Sequence, residues 1–344
     1  MIVRKVLITG VTGQDGSLLA SKLLGFGFQV VGTFRRNSAG NFWRLEALGI
    51  LNKVELIEYS IGDNSLQFSE IFKRKFDYIF HLAGDSFTQD SFRHPFKTLE
   101  TNISGSLEVI ENTLKFSRDS KIFIASSSEI YGNQRNSQIM VDEDSTCRPV
   151  NPYGVSHLAI LNLVRIYRET SSLFLTSGIL FNHESEFRGP QFLTRKISMG
   201  LAKIKSGSLD SIKIGNFDSS RDWGSAHEFI NVFLSLLESS EPNDFIIATG
   251  KITSVRELIV MCCDFYGFEP EFQGAGSKEI CIDKKNGNTL FEISEEFYRL
   301  SDTPGLIGST QKLRKHLGWS PQCSIDQVME KMCQFDYARL EKST

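Results

Sequence analysis

"ITGVTGQDGSLLASKLL", residues 8–24, decides the fold. The apolar run VLITG (6–10) ends in Gly10, Gly13 and Gly16 follow, and apolar residues at helical spacing continue from Ser17 to Leu24. Glycine lets the backbone turn sharply and approach a pyrophosphate, whose charge then sits at a helix N-terminus. Three glycines alone are a weak signal. Between a strand and a helix they are a specific one, and they outweigh the alternative of glycines serving only tight turns.

Working outward, GFQVVGTF (27–34), KVELIEY (53–59), FDYIFHLAG (76–84) and KIFIASSS (121–128) read as further strands with helical segments between them. SHLAILNLVRIYRET, after Tyr153, reads as a helix and SLFLTSGILFN (172–182) as another buried strand. Apolar strands separated by helices imply a parallel sheet covered on both faces. The expected fold is α/β, a Rossmann-type doubly wound parallel sheet with a smaller C-terminal α/β lobe. Residues 1–182, with some later segments, form the dinucleotide-binding domain, and 183–344 form mainly the second lobe. Beyond residue 183 the pattern loosens into short strands, turns and two later helices, around 255–266 and 324–341.

Composition narrows the function. The 344 residues are 40% hydrophobic and 23% charged, and 38 basic against 41 acidic residues give a net charge of -3. That balance lacks the basic footprint of a nucleic-acid binder. No stretch approaches the roughly 18 apolar residues of a membrane span, and the N-terminus lacks a signal-peptide pattern. Cys147, Cys262, Cys263, Cys281, Cys323 and Cys333 form no CxxC pair or metal-ligand spacing. The expectation is a cytoplasmic protein with reduced thiols, no metal, no nucleic-acid partner and no membrane partner.

The end of the second strand selects the dinucleotide. An acid there would bind ribose hydroxyls and favour NAD; "TFRRNS" instead places Arg35 and Arg36, whose guanidinium forks suit the 2′-phosphate of NADP. Two solvated surface arginines are the plain alternative.

"IASSSEIYG" (124–132) follows the fifth strand, where a doubly wound sheet presents its reacting groups. Ser127 can hydrogen-bond a substrate oxygen, and Glu129 offers a carboxylate on the same loop. Tyr153, preceded by Asn-Pro, opens a helix; a tyrosine acts as a base when nearby positive charge lowers its pKa from about 10. That charge usually comes from a lysine one helical turn later, on the same face. Here the position holds His157.

Gly-rich turn, Ser-x-Glu loop and tyrosine, in that order, resemble the extended short-chain dehydrogenase/reductase family. More narrowly, "ITGVTGQDGS", "SSSEIYG", "GILFNHES", "RGPQFLTRKI", "GNFDSSRDWG", "FIIATGKITSVREL" and "KLRKHLGWSP" look like the GDP-mannose 4,6-dehydratase family. The similarity runs from residue 2 to about 335 and includes the second lobe.

The resemblance implies NADP-dependent conversion of GDP-mannose, or a close GDP-sugar, to the 4-keto-6-deoxy sugar. Tyr153 would take the 4-hydroxyl proton, Ser127 would orient that oxygen, and Glu129 would remove the C5 proton and help expel the 6-hydroxyl as water. It implies cofactor contacts at Gly10, Gly13, Gln14, Asp15, Gly16, Arg35, Arg36, Asp63, Leu82, Tyr153, His157, His183 and Arg188. GDP contacts fall on Asn182, Leu193, Lys196, Arg221, Arg299 and Asp302, the last an Asp where the family has Glu. An ion pair with Asp222 is the alternative for Arg221. It also implies a homodimer or homotetramer, with the Arg35–Asn41 loop as a contact.

Several residues depart from the family. Phe187 stands where a second arginine precedes Arg188. Ser60-Ile61-Gly62 replaces a Gly-Asp-Leu segment. Gly84-Asp85 replaces Ala-Gln, which is expected to place a new carboxylate near the nicotinamide. His157 is the largest departure: neutral imidazole can bind a ribose hydroxyl but hardly lowers the tyrosine pKa. Two other readings fit the same residues: a GDP-sugar 4-epimerase or reductase with Glu129 idle, and a catalytically impaired protein that binds nucleotide sugar.

Overall fold

The protein's structure, a computed structural model, describes residues 3–35, 41–59, 65–132, 140–294, 297 and 305–341. Arg36, Ser60-Ile61-Gly62, Asp63, Arg299 and Asp302 lie outside the described residues, as does most of the Arg35–Asn41 loop.

Seven parallel strands form the central sheet: β1 (Lys5–Thr9), β2 (Gln29–Phe34), β3 (Glu55–Glu58), β4 (Tyr78–His81), β5 (Lys121–Ser127), β6 (Leu175–Leu180) and β7 (Asp244–Ile247). They stand in the order β7-β6-β5-β4-β1-β2-β3, so the chain reverses direction of travel between β1 and β4. A ligand crevice is expected at such a switch point, beyond the strand C-termini.

Successive residues of β1 feed opposite cores. Val6 and Ile8 join a cluster with Leu18, Leu19, Leu23, Phe229 and Phe233, whereas Leu7 packs with Phe72, Ile110, Ile122 and Ile160. Helix α1 (Gln14–Gly25) lies on the first face; α2 (Gly105–Phe116) and α3 (Pro152–Ser171) lie on the second. Covering both faces is what lets these strands read as nearly continuous apolar runs.

Beyond residue 183 the structure holds two more long helices than the expected pair. Helices α4 (Leu193–Lys205) and α5 (Ala226–Glu238) precede α6 (Val255–Tyr266) and α7 (Ile325–Glu341). FINVFLSLL within α5 is so apolar that its periodicity does not separate helix from buried strand. Helix α5 and β7 complete the first sheet's layers. Helices α4, α6 and α7 instead pack on a four-stranded sheet formed by 270–273, 280–283, 289–293 and 212–214 around Ile197, Leu258, Phe291 and Met332. The expected strand 172–182 is also shorter: it breaks after Leu180, and Asn182–Glu184 pairs separately with Trp223–Ser225.

Candidate active site

The glycine turn is built for close approach. Gly10 has φ +75°, and a Cβ there would stand 2.9 Å from the Ala83 backbone. At Gly16 a Cβ would lie 2.4 Å from the Gly10 carbonyl oxygen and 2.8 Å from Val11 Cα, so only glycine lets α1 start against the turn. Gly13 is the N-cap of α1 and supplies no side-chain cap, which leaves the first-turn amides for a ligand.

Gln14 and Asp15 are tied to the far side of the cleft. Gln14 donates to the His183 carbonyl at 3.1 Å and accepts from Ser185 Oγ at 2.9 Å. Asp15 accepts from His183 Nε2 at 2.8 Å, while His183 Nδ1 meets the Phe181 carbonyl at 2.7 Å. Both partners accept only, so both ring nitrogens carry protons and His183 is an imidazolium. Burial opposes that charge and the Asp15 carboxylate outweighs it, leaving the His183 pKa raised. For Asp15, burial pushes upward and the charge and hydrogen bond of His183 prevail, so its pKa is lowered.

A cleft of about 990 Å³ opens beyond the strand C-termini and brings together most of the expected residues. Ser127, Glu129, Tyr153, His157, Leu82, Asp15, His183 and Arg188 line it together with Asn182, Leu193, Lys196 and Arg221. Gly10, Gly13, Gln14 and Gly16 are not among the residues that line it. Lys196 Nζ stands 4.2 Å over the Phe297 ring, and Arg188 lies 3.6 Å over Phe192 and 3.1 Å from Glu184. Arg221 donates to the Ser220 carbonyl at 2.8 Å, and the buried Asp222 carboxylate accepts from the amides of Thr249, Gly250 and Gly308.

Helix α3 places the tyrosine. Asn151 caps it, accepting the Gly154 amide at 2.7 Å, and Pro152 fits the first turn. Tyr153 and His157 then fall one turn apart with ring centroids 4.4 Å apart, edge to face. Burial drives the Tyr153 phenol up to about 12; a hydrogen bond from Ser127 works against this, Glu129 reinforces it, and Arg188 is the cation that opposes it. His157 is held down at about 4 by burial, with a contribution from His81, and is neutral near pH 7. Its Nδ1 is inaccessible to solvent and has no hydrogen-bond partner among the described residues. His81 is also held near 4 by burial, between Thr9 Oγ1 at 2.8 Å and Ser106 Oγ at 3.1 Å.

The Asp85 carboxylate meets Arg35 at 3.4 Å, just past the C-terminal end of β2, and Asp85 lines the same cleft as Tyr153 and His157. Gly84 leaves room for Asn102 Oδ1, which accepts the Asp85 amide at 2.8 Å. Phe187, in place of an arginine, is buried against Trp43 and Phe335.

Arg44, which the sequence reading passed over, lies buried behind the glycine turn. It donates to the carbonyls of Thr12 at 3.1 Å and Phe187 at 2.6 Å and makes no ion pair among the described residues. Burial and the neighbouring Arg195 and Arg188 lower its pKa to about 10. Its only sequence signal is a lone cation in the short amphipathic stretch WRLEA.

The family model for GDP-mannose 4,6 dehydratase matches residues 7–332. The GDP-mannose 4,6 dehydratase of Cricetulus griseus is 35% identical over 342 residues, covering 97% of this chain and 91% of that protein. Among solved structures, UDP-glucose 4-epimerase from Thermotoga maritima with UDP-glucose aligns with a TM-score of 0.81 and 21% identity, over 98% of this chain and 99% of that one. RMD from Pseudomonas aeruginosa complexed with NADPH aligns at 0.77 and 21%, over 98% and 100%. At that identity these two structures speak for the fold, and the sequence matches speak for the family. The chain belongs to the GDP-mannose 4,6-dehydratase family.

Proposed function

We propose that this chain is a hydro-lyase that converts GDP-mannose, or a close GDP-hexose, to the 4-keto-6-deoxy sugar. The observation that carries the reading is Glu129 and Tyr153 lining one cleft, a carboxylate beside a phenol. Oxidation at C4 alone needs the phenol; loss of water across C5 and C6 also needs a base for the C5 proton. Epimerisation at C4 would leave that carboxylate without a task.

The glycine turn fits a nicotinamide dinucleotide, because a Cβ would fill the cradle, and His157 lines the cleft with Tyr153. Bound there, the dinucleotide supplies a hydride acceptor and donor. Tyr153 takes the 4-hydroxyl proton, and Ser127 holds the 4-oxygen. Glu129 removes the C5 proton and returns it to the departing 6-oxygen, which leaves as water. Lys196 and Arg221 hold the diphosphate by charge-assisted hydrogen bonds. Arg35 favours NADP over NAD. Val155 and Ile166, apolar and exposed on α3, support self-association into a homo-oligomer.

Purified protein incubated with GDP-mannose and NADP is expected to give a product lighter by one water. No loss of water from any GDP-hexose would sink the reading. The neutral His157 beside a phenol at about 12 favours one alternative, binding without turnover. Calorimetric binding with no product, even after His157→Lys, would establish that alternative.

A further inference from the structure

We infer that Asn151 is the positioning residue for Glu129, and that through it the elimination base and the tyrosine helix are set by one side chain. This rests on the dehydratase reading above. Both ends of the Asn151 amide are engaged: Oδ1 accepts the Gly154 amide at 2.7 Å and caps α3, while Nδ2 donates to Glu129 Oε2 at 2.8 Å. Asn151 is 7% exposed, so its bond to Gly154 is shielded from water and its bond to Glu129 partly so. The backbone supports the same contact. Gly154 lies so close to the 128–130 turn that a Cβ there would stand 2.5 Å from the Glu129 carbonyl oxygen.

Among the described residues Glu129 has one further hydrogen bond of this kind. Its amide donates to Ser127 Oγ at 3.3 Å, which orients the backbone and leaves the carboxylate free to swing. A serine in the Asn151 position would cap the helix as well, because capping needs only an oxygen acceptor. It could not also reach Glu129 with an N–H. The amide therefore does something the cap does not require: it holds one carboxylate oxygen and leaves the other for the C5 proton. Fixing the base at the angle its proton demands is worth rate without being worth binding.

The test separates the cap from the positioning. Asn151→Ser keeps an acceptor for the Gly154 amide and removes the donor to Glu129. With GDP-mannose, kcat is expected to fall roughly ten- to hundredfold, the loss of one hydrogen bond to a charged group. KM should stay within about twofold and the thermal midpoint should hold. The isotope effect with C5-deuterated substrate should rise, because proton abstraction becomes more rate-limiting. Asn151→Asp, which caps equally well but sets a carboxylate against Glu129, should be slower still. A loss of kcat that tracks a lower midpoint, with the isotope effect unchanged, would overturn the inference and leave Asn151 a helix cap. A crystal structure of Asn151→Ser decides independently of turnover. The Glu129 carboxylate should turn away while Tyr153 stays; if it has not moved, the inference is wrong. Absence of water loss in the unaltered protein would instead count against the dehydratase reading, and the crystal structure would still judge the placement.

Discussion

The His157 ring meets the Tyr153 ring edge to face, 4.4 Å between centroids, in the place where a cation would stand to ease a proton off the phenol. The pair sets the expected pH behaviour of the reaction. With Tyr153 at about 12 and His157 neutral, the phenolate is scarce near neutrality, and kcat should climb about tenfold per pH unit well into the alkaline range. His157→Lys restores a nearby charge and should lower the phenol pKa by about one to three units. Turnover at pH 7 should rise and the whole profile should move toward lower pH. A profile that does not move refutes this account of the pair.

His81 and His157 also make folding sensitive to acid. Each is held at about 4 in the folded chain against 6.5 when free, so between those values the unfolded chain binds more protons. Stability from these two groups is therefore full above pH 6.5 and falls as pH drops toward 4, by a few kcal/mol on the order of the shifts. His183 acts in the opposite sense. Its pKa is raised, so its contribution is full below pH 6.5 and fades as pH rises through its folded value. Thermal midpoints measured from pH 7 to 4.5 should fall, and His157→Gln should flatten that slope. An unchanged slope would mean that His157 is not held neutral by the fold.

Glu129→Gln removes the elimination base while keeping its size and its contact with Asn151. Water loss should drop by about 10²–10⁴-fold, with GDP-mannose affinity by calorimetry within about threefold of the original. Retained dehydration would transfer the base role to another group lining the cleft.

Arg35 shares its charge with Asp85, and the proposed preference for NADP can be tested at this pair. Asp85→Asn frees the guanidinium and removes an anion from the phosphate side. NADP should bind up to about fivefold tighter, the worth of a partly exposed pair, with NAD little changed. Arg35→Ala should weaken NADP alone. Equal effects on both dinucleotides, read by calorimetry, would place Arg35 outside the 2′-phosphate site.

The sheet and the glycine turn were legible because local and global signals agree there: apolar runs, a glycine at each forced position, helical spacing immediately after. Tyr153 and Glu129 were legible as types in sequence order. Other features depend on contacts remote in sequence. Arg44 draws its surroundings from Thr12 and Phe187, 32 and 143 residues away. Asp85 was expected as a new carboxylate in the cleft, but its pairing with Arg35, 50 residues away, needs the folded sheet. Asn-Pro marked the opening of the Tyr153 helix in the sequence, whereas the reach of Asn151 to Glu129 needs the folded turn. Helix α5 escaped notice because its apolar face is nearly complete.

Arg44 has a further consequence for how the protein is handled. A guanidinium sealed behind the glycine turn, held by two carbonyls and the Trp43 ring and crowded by two other arginines, is a charge with no ion pair among the described residues. A dinucleotide's diphosphate laid across the turn would complete that balance from outside. Cofactor and chain then behave as one thermodynamic unit, in which the ligand stabilises the fold as much as the fold selects the ligand. Purification that strips the dinucleotide would also strip stability, and adding it back before heating should restore both.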